Sequence, residues 1–128
     1  MAGYLTDIEK KTLDNDHFRE VLFTGPHAQL VVMALRPGED IGLETHDDVD
    51  QFIRVEAGHG TAILDGKEHA IEDGSAVVIP AGTQHNIVNS SKTESLKLYT
   101  IYSPPEHPDR TIHENKAEAE AYEREHHR

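Results

Sequence analysis

The apolar residues of this chain fall into short runs, spaced about ten residues apart, with turn-forming residues between them. The runs are rich in Val, Ile, Leu and Tyr, and Pro, Gly, Asp or Asn follows closely after most of them. Such runs, bounded by such breakers, are typical of β-strands. The pattern predicts an edge strand around residues 21–23 and further strands over 29–35, 40–46, 51–55, 75–79, 85–88 and 96–102.

A hairpin is predicted within residues 61–71. Asp65 and Gly66 separate two β-prone runs there, and Asp-Gly between such runs is the strongest short-range hairpin signal. Many short strands with turns between them, rather than strands alternating with helices, favour an all-β fold. We therefore expect a sandwich, a jelly roll or a barrel.

The chain changes character after Pro105, where the apolar runs give way to a polar segment. A short charged helix is predicted over residues 116–127. Asn115 is suited to cap its first turn, with Glu118 three residues further on.

Length and charge narrow the class of protein. A chain of 128 residues forms one hydrophobic core, and we place a barrel over residues 1–112 and a polar C-terminal segment with the helix over 113–128. The formal charge is −12, from 12 Lys and Arg against 24 Asp and Glu, which disfavours nucleic acid and anionic membranes as partners. The chain has no Cys, and no apolar run suits a signal peptide or a membrane span, so we expect a cytoplasmic protein.

Four polar residues in the predicted strands could meet in one cavity. His85 starts a strand directly after a turn that contains Pro and Gly, which can aim its imidazole inward. Side chains two positions apart share a strand face, so Glu44 and His46 can reach one ion together. Gln51 shares its face with apolar residues that look like barrel interior. Two imidazoles, a carboxylate and an amide oxygen suit a divalent ion such as Zn, Mn, Fe, Co or Ni.

Two motifs in the middle of the chain resemble those of the cupin superfamily. The first runs from Gly38 to Gly58; its two His positions hold Glu44 and His46 here, and its Glu position holds Gln51. The second, Gly-x5-Pro-x-Gly-x2-His-x3-Asn, is met at every defined position, by Gly74, Pro80, Gly82, His85 and Asn89. The second match is highly specific, because several residues agree at fixed spacings.

The resemblance implies a jelly roll, or double-stranded β-helix, that holds one metal ion at the barrel mouth. The implied ligands are Glu44, His46, Gln51 and His85. Glu44 stands where the family motif has His, and Gln51 stands where it has Glu, so the set still has one negative charge. We therefore expect metal binding to survive, at a lower affinity because a neutral amide is a weaker ligand than a carboxylate. The family's shorter spacing would instead make Asp50 the ligand in place of Gln51. Family members commonly form dimers, so a homodimer is expected.

The leading functional hypothesis is a metal-dependent enzyme that acts on a small polar molecule by isomerisation, epimerisation or elimination. Some cupins that process sugars resemble this chain in having Gln at the position of Gln51, which makes sugar-derived substrates candidates. The ion would act as a Lewis acid while Glu44 moves a proton, exchanging between ligand and base. Two alternatives stay open: a metal-dependent dioxygenase, and a ligand-binding or sensory barrel without turnover.

The remaining His and Tyr residues are predicted to have structural roles. Tyr99 and Tyr102 lie on opposite faces of the last long strand, so at most one can reach the cavity. His107 and His113 are expected at the surface; the alternative is that they cover the barrel mouth as a lid or as an acid/base pair. The histidines next to turns or on the hairpin are expected to be exposed: His27, His59 and His69.

Overall fold

The structure, a computed structural model, describes residues 2–126. The helices and strands within these residues are, in chain order, α1 (Ile8–Asp14), β1 (Arg19–Thr24), β2 (Gln29–Leu35), β3 (Asp50–Ala57), β4 (His59–Leu64), β5 (Lys67–Glu72), β6 (Ala76–Ile79), β7 (His85–Val88), β8 (Leu96–Ser103), β9 (Ile112–His113) and α2 (Lys116–Glu125). Neither helix is long and apolar enough to cross a membrane. The predicted helix end at His127, and the outer limits of the predicted domains at residues 1 and 128, lie outside the described residues.

The strands form two antiparallel sheets. One has six strands in the order β6-β3-β8-β2-β1-β9, and the other has three in the order β5-β4-β7. Strands far apart in sequence are neighbours, since β8 lies between β2 and β3. Such pairing of distant strands in two sheets defines a jelly roll. The predicted all-β jelly roll with a short C-terminal helix is therefore confirmed.

The hydrophobic core lies between the two sheets. Ile53 and Val55 of β3 and Leu98 of β8 are fully buried, and Ala62 and Ile87 of the smaller sheet belong to the same cluster. Burial of a side chain of the size of Val, Leu or Ile contributes roughly 1.5–3 kcal/mol. This core fixes the two sheets relative to each other.

The hairpin predicted around Asp65 and Gly66 is present as β4 and β5. Both turn residues have positive φ, 48° at Asp65 and 81° at Gly66. Positive φ at both central positions is the requirement of the type I′ turn, for which Asp-Gly is preferred. Leu64 and Lys67 pair directly across the turn, which sets the register of the hairpin.

The predicted strand over residues 40–46 is wrong. The segment forms only two isolated bridges, Asp40 with Val88 and Glu44 with His85. Between them Gly42 has φ 112°, a conformation that breaks an extended ladder. The amide of Gly42 donates to a side chain, Oδ1 of Asn86, at 3.0 Å rather than to a neighbouring strand. A loop therefore leads into the candidate site.

Helix α1 was not predicted. Its N-cap is Asp7, whose side chain accepts a hydrogen bond from the amide of Lys10 at 3.1 Å. Thr12 is its only buried residue. A helix without an apolar stripe gives no periodic signal in the sequence. The strand predicted around residues 21–23 is present as β1, but it is not the edge of its sheet, because the short β9 pairs with it.

The C-terminal helix α2 is capped as predicted. Asn115 accepts a hydrogen bond from the amide of Glu118 at 2.9 Å. Ala119 is 5% exposed and belongs to the core cluster, so α2 packs against the barrel. Just before it, β9 pairs with β1 and lies across the predicted boundary between residues 112 and 113.

Candidate functional site

Gln51 and His85, the strand part of the candidate site, lie on the interior of the barrel and are each 3% exposed. Nε2 of Gln51 donates to Oγ1 of Thr100 at 3.0 Å. Oε1 of Gln51 is buried and has no hydrogen-bond partner within residues 2–126. An unsatisfied buried acceptor costs about 1–3 kcal/mol. The barrel therefore holds an amide oxygen that a cation or a donor could satisfy.

The imidazole of His85 has a fixed orientation. Its Nδ1 lies 2.9 Å from the carbonyl oxygen of Thr83. Because a carbonyl oxygen only accepts, Nδ1 carries a proton, and in the neutral imidazole Nε2 therefore has the lone pair. Metal-binding histidines are commonly held by such a hydrogen bond on the other ring nitrogen.

Glu44 and His46, the loop part of the candidate site, lie beside His85. The backbone of Glu44 exchanges two hydrogen bonds with that of His85, of 2.9 and 2.8 Å. Oε2 of Glu44 is 3.5 Å from Nε2 of His46, and the rings of His46 and His85 are 5.3 Å apart. The predicted common direction of Glu44 and His46 is thus present, although the segment is a loop.

Asn86 and Lys116 anchor this loop. Besides accepting from the amide of Gly42, Asn86 donates from Nδ2 to Oδ2 of Asp40 at 2.9 Å. Lys116 of α2 donates to the other oxygen of Asp40. Burial raises the pKa of the Asp40 carboxyl, but the hydrogen bonds from Asn86 and Lys116 outweigh it and leave the pKa below its usual value. The loop is therefore tied to both β7 and α2.

Burial affects the proton equilibria of two groups at the barrel mouth. It raises the pKa of the Glu44 carboxyl above its usual value, against the opposing charges of His46, Arg19 and His85. It also raises the pKa of the Tyr102 hydroxyl far above its usual value. Tyr102 therefore stays protonated, whereas the Glu44 carboxyl exchanges its proton closer to neutral pH than an ordinary carboxyl does.

Glu106 is a second carboxylate at the mouth, and it was missed. Its Oε2 lies 3.6 Å from Nδ1 of His46. Gln29, which is 1% exposed, positions it by accepting from the amides of Glu106 and His107 at 3.2 and 3.0 Å. The available signal was that Glu106 is the first charged residue after the last long strand.

A cavity of about 530 Å³ lies between α2, the start of β1 and the loop of residues 40–44. Its lining includes Glu44 and Arg19, which is 5% exposed. Nη1 of Arg19 lies 3.2 Å from Nδ1 of His113, which is 8% exposed, so the surface position expected for His113 is wrong. Arg19 was also missed; its strand parity with the buried Val21 was the signal that it faces inward.

Several residues singled out in the sequence lie away from the interior. Asp50, the alternative ligand to Gln51, is exposed, and its Oδ1 accepts a hydrogen bond from the amide of Ala81 at 2.8 Å. Gln51, and not Asp50, faces the interior. Tyr99 is half-buried, whereas Tyr102 is 2% exposed with its ring 6.2 Å from that of His46. The histidines expected to be exposed are exposed: His27, His59 and His69.

The donor types at the mouth fit a divalent transition-metal ion. They are two imidazoles, one of them oriented by a carbonyl, a carboxylate, and a buried amide oxygen without a partner. Within residues 2–126, however, no three His, Cys, Asp or Glu side chains form a group that could hold a metal ion as they stand. The fold and these donors define a jelly-roll barrel with a candidate cation site at its mouth.

Comparisons with known proteins identify the family. The sequence profile described as "Cupin domain" matches residues 31–102, and the chain belongs to the cupin family. The uncharacterized protein YrkC of Bacillus subtilis is 48% identical over 126 residues, which cover 94% of this chain and 67% of YrkC. The crystal structure of BH2720 from Bacillus halodurans is 44% identical, with a TM-score of 0.91, and the match covers 94% of this chain and 95% of that one.

A more distant structure is a predicted oxalate decarboxylase from Thermotoga maritima. It is 25% identical, with a TM-score of 0.57, over 60% of this chain and 66% of that chain. The two solved structures agree on the fold, and of the three similar proteins only the one from Thermotoga maritima has a name that states an activity.

Proposed function

We propose that the chain binds one divalent transition-metal ion at the barrel mouth and acts as an enzyme on a small polar molecule. The proposed ligands are Glu44, His46, Gln51 and His85. The observation that carries the proposal is the strand part of the site. The side chains of Gln51 and His85 are both buried. Gln51 uses its Nε2 in a hydrogen bond, which leaves Oε1 as an acceptor. His85 uses its Nδ1 in a hydrogen bond, which leaves Nε2 as an acceptor.

Ion binding requires a side chain of the loop part to rotate, because the described residues contain no group of three His, Cys, Asp or Glu that could hold an ion as placed. Glu44 is suited to this movement. Its side chain is 38% exposed, and its Oε2 lies 3.5 Å from Nε2 of His46, which is longer than a short hydrogen bond. The cost of the rotation is one reason to expect lower affinity than in a site with three His and one Glu.

The proposed reaction is an isomerisation, epimerisation or elimination, with sugar-derived compounds as candidate substrates. A bound ion supplies Lewis acidity toward a carbonyl or hydroxyl oxygen. Glu44 moves the proton: it is a carboxyl group at the mouth, and burial raises its pKa above the usual value. Glu106 faces Nδ1 of His46 and favours the tautomer that leaves Nε2 as a donor atom.

The test of the metal site is elemental analysis of protein purified without added metal. We expect about one ion per chain in the native protein and none in His85→Ala, because that change removes the most rigidly held donor. His59→Ala, at an exposed position on β4, is the matched control and keeps the ion. Stoichiometric metal in His85→Ala would place the site elsewhere.

Two further measurements separate the proposed activity from its alternatives. Turnover under strictly anaerobic conditions supports the isomerase or lyase reaction, and consumption of oxygen with an enediol or phenol supports the dioxygenase. Ligand binding in a thermal-shift screen without any product supports the sensory barrel. The proposed homodimer is tested by light scattering, where a single-chain mass would reject it.

A further inference from the structure

Arg19 is a buried cation at the wall of the cavity. Only 5% of the residue is exposed, and its side chain faces inward with Val21. Nη1 contacts the neutral acceptor Nδ1 of His113, and Nε is buried without a hydrogen-bond partner in the described part of the chain. None of the ion pairs found within residues 2–126 includes Arg19. Buried charges are costly unless they are paired, so this position calls for an anion.

The acidic groups nearest in the cavity do not supply that anion. Asp40 is engaged by Lys116 and Asn86. Glu44 interacts with Arg19 through space and lines the same cavity, but its Oε2 lies beside Nε2 of His46, at 3.5 Å. Arg19 and Glu44 are therefore close enough to act on one small molecule and are not in contact with each other.

The cavity has the dimensions and the lining of a small-molecule site. Its volume of about 530 Å³ lies within the range of roughly 300–1,000 Å³ that is usual for ligand pockets. One wall of the cavity is apolar and is formed by Phe18, Ile41 and Ala119. Helix α2 adds three charged residues to the lining: Glu120, Glu123 and Arg124. The acidic groups of α2 disfavour ligands that carry several negative charges.

We propose that Arg19 binds the carboxylate of a small hydroxy acid or keto acid, whose hydroxyl or carbonyl end then reaches Glu44. The planar guanidinium matches a carboxylate in shape and in charge, one positive against one negative. The assignment deepens the proposed function, on which it rests for the chemistry at the Glu44 end. It makes Arg19 the residue that selects acids over neutral sugars and polyols.

The test compares gluconate with glucitol, which has a CH₂OH group in place of the carboxylate, by calorimetric titration. Native protein is expected to bind gluconate more tightly, and Arg19→Gln to lose about 10- to 100-fold in gluconate affinity without a change for glucitol. Arg36→Gln, at an exposed position, is the matched control and keeps native affinity. Equal affinities of native protein for the two probes would overturn the inference, as would tighter binding of inorganic phosphate.

A second test uses the native protein, so its result does not depend on whether the Arg19→Gln variant folds. The Nε–H resonance of Arg19, identified by its loss in Arg19→Lys, is expected to shift on titration with gluconate, because the guanidinium that carries this proton lines the cavity. An unchanged resonance at saturating gluconate contradicts the proposal, whatever the stability of the variants.

Metal content distinguishes failure of this inference from failure of the proposed function. If both hold, Arg19→Gln keeps the native metal content and loses gluconate affinity. Gluconate binding that depends on Arg19 in a protein that never holds metal rejects the metal site and leaves the carboxylate site standing. Native gluconate affinity in metal-loaded Arg19→Gln rejects the carboxylate site alone.

Discussion

The strand part and the loop part of the candidate site are built in different ways. Gln51 and His85 are 3% exposed, and each is oriented by a hydrogen bond that it donates to a threonine oxygen, of Thr100 and Thr83 respectively. The side chains of Glu44 and His46 are 38% and 11% exposed, and they contact each other at 3.5 Å. The difference indicates a division of roles, in which strands hold fixed donors and the loop supplies groups that can move.

Ligand substitutions are expected to separate the two parts most strongly. Gln51→Ala removes a proposed metal ligand that the barrel holds in place. Loss of a residue that only hydrogen-bonds to a ligand typically lowers metal affinity roughly 10–100-fold, and loss of the ligand itself should lower it further. Glu44→Gln keeps an oxygen at the loop position and should lose less affinity, while turnover falls about 10²–10⁴-fold with loss of the proton carrier. Competition with a fluorescent chelator measures the affinities. A larger metal loss in Glu44→Gln than in Gln51→Ala would reverse the assignment.

Two asparagines test the anchoring of the two parts by stability. Asn89, at 1% exposure, donates to the carbonyls of Leu35 and Glu94 and accepts from the amide of Ser91. Asn89→Ala should therefore lower the free energy of unfolding by about 2–4 kcal/mol, because it removes three hydrogen bonds, of which two are buried and one is partly buried. Urea unfolding measures this. The motif position of Asn89 is thus explained by structure, and native metal content in the folded variant is expected.

Asn86→Ala should have a smaller effect on stability, about 1–2 kcal/mol, because Asn86 bonds the loop through Gly42 and Asp40 rather than joining strands. It should also weaken metal binding, since the loop carries Glu44 and His46. An equal loss of stability in Asn86→Ala and Asn89→Ala would show that the loop is as much a part of the barrel as the strands are.

The smallest effect is a pH dependence at the junction of β9 and α2. Burial and the neighbouring charge of Arg19 lower the pKa of His113, against Glu118 and Glu123, which raise it. The usual pKa of a histidine is 6.5. Below that pH, His113 binds a proton in the unfolded chain more readily than in the folded chain. The free energy of unfolding is therefore unaffected by His113 above pH 6.5 and falls as the pH decreases through that value. Urea unfolding at several pH values should show a flatter profile in His113→Gln. The same slope in both proteins would contradict the assignment.

Much of the fold could be predicted because its signals are local. The β-branched runs predicted most of the strands, and the Asp-Gly turn predicted the hairpin of β4 and β5. The alternation of side chains along β3 predicted that Gln51 faces the interior together with Ile53 and Val55. The segment over residues 40–46 failed because the sequence pattern cannot show that Gly42 adopts positive φ and bonds to Asn86.

The missed parts of the site are polar residues whose burial depends on distant partners. Arg19 and His113 are 94 positions apart in sequence and meet because β1 pairs with β9. Glu106 lies beside His46 because Gln29, on another strand, holds its backbone. A buried arginine or glutamate looks like an ordinary surface residue in the sequence, since its partners are set only by the tertiary fold.

The most direct test of the metal site is a crystal structure of the protein loaded with one ion, with anomalous diffraction recorded at the absorption edge of that ion. The account predicts a single anomalous peak at the barrel mouth, contacted by His46, Gln51 and His85, with the carboxylate of Glu44 turned toward it. A peak beside Asp50, or any position out of reach of His85 and Gln51, would contradict it.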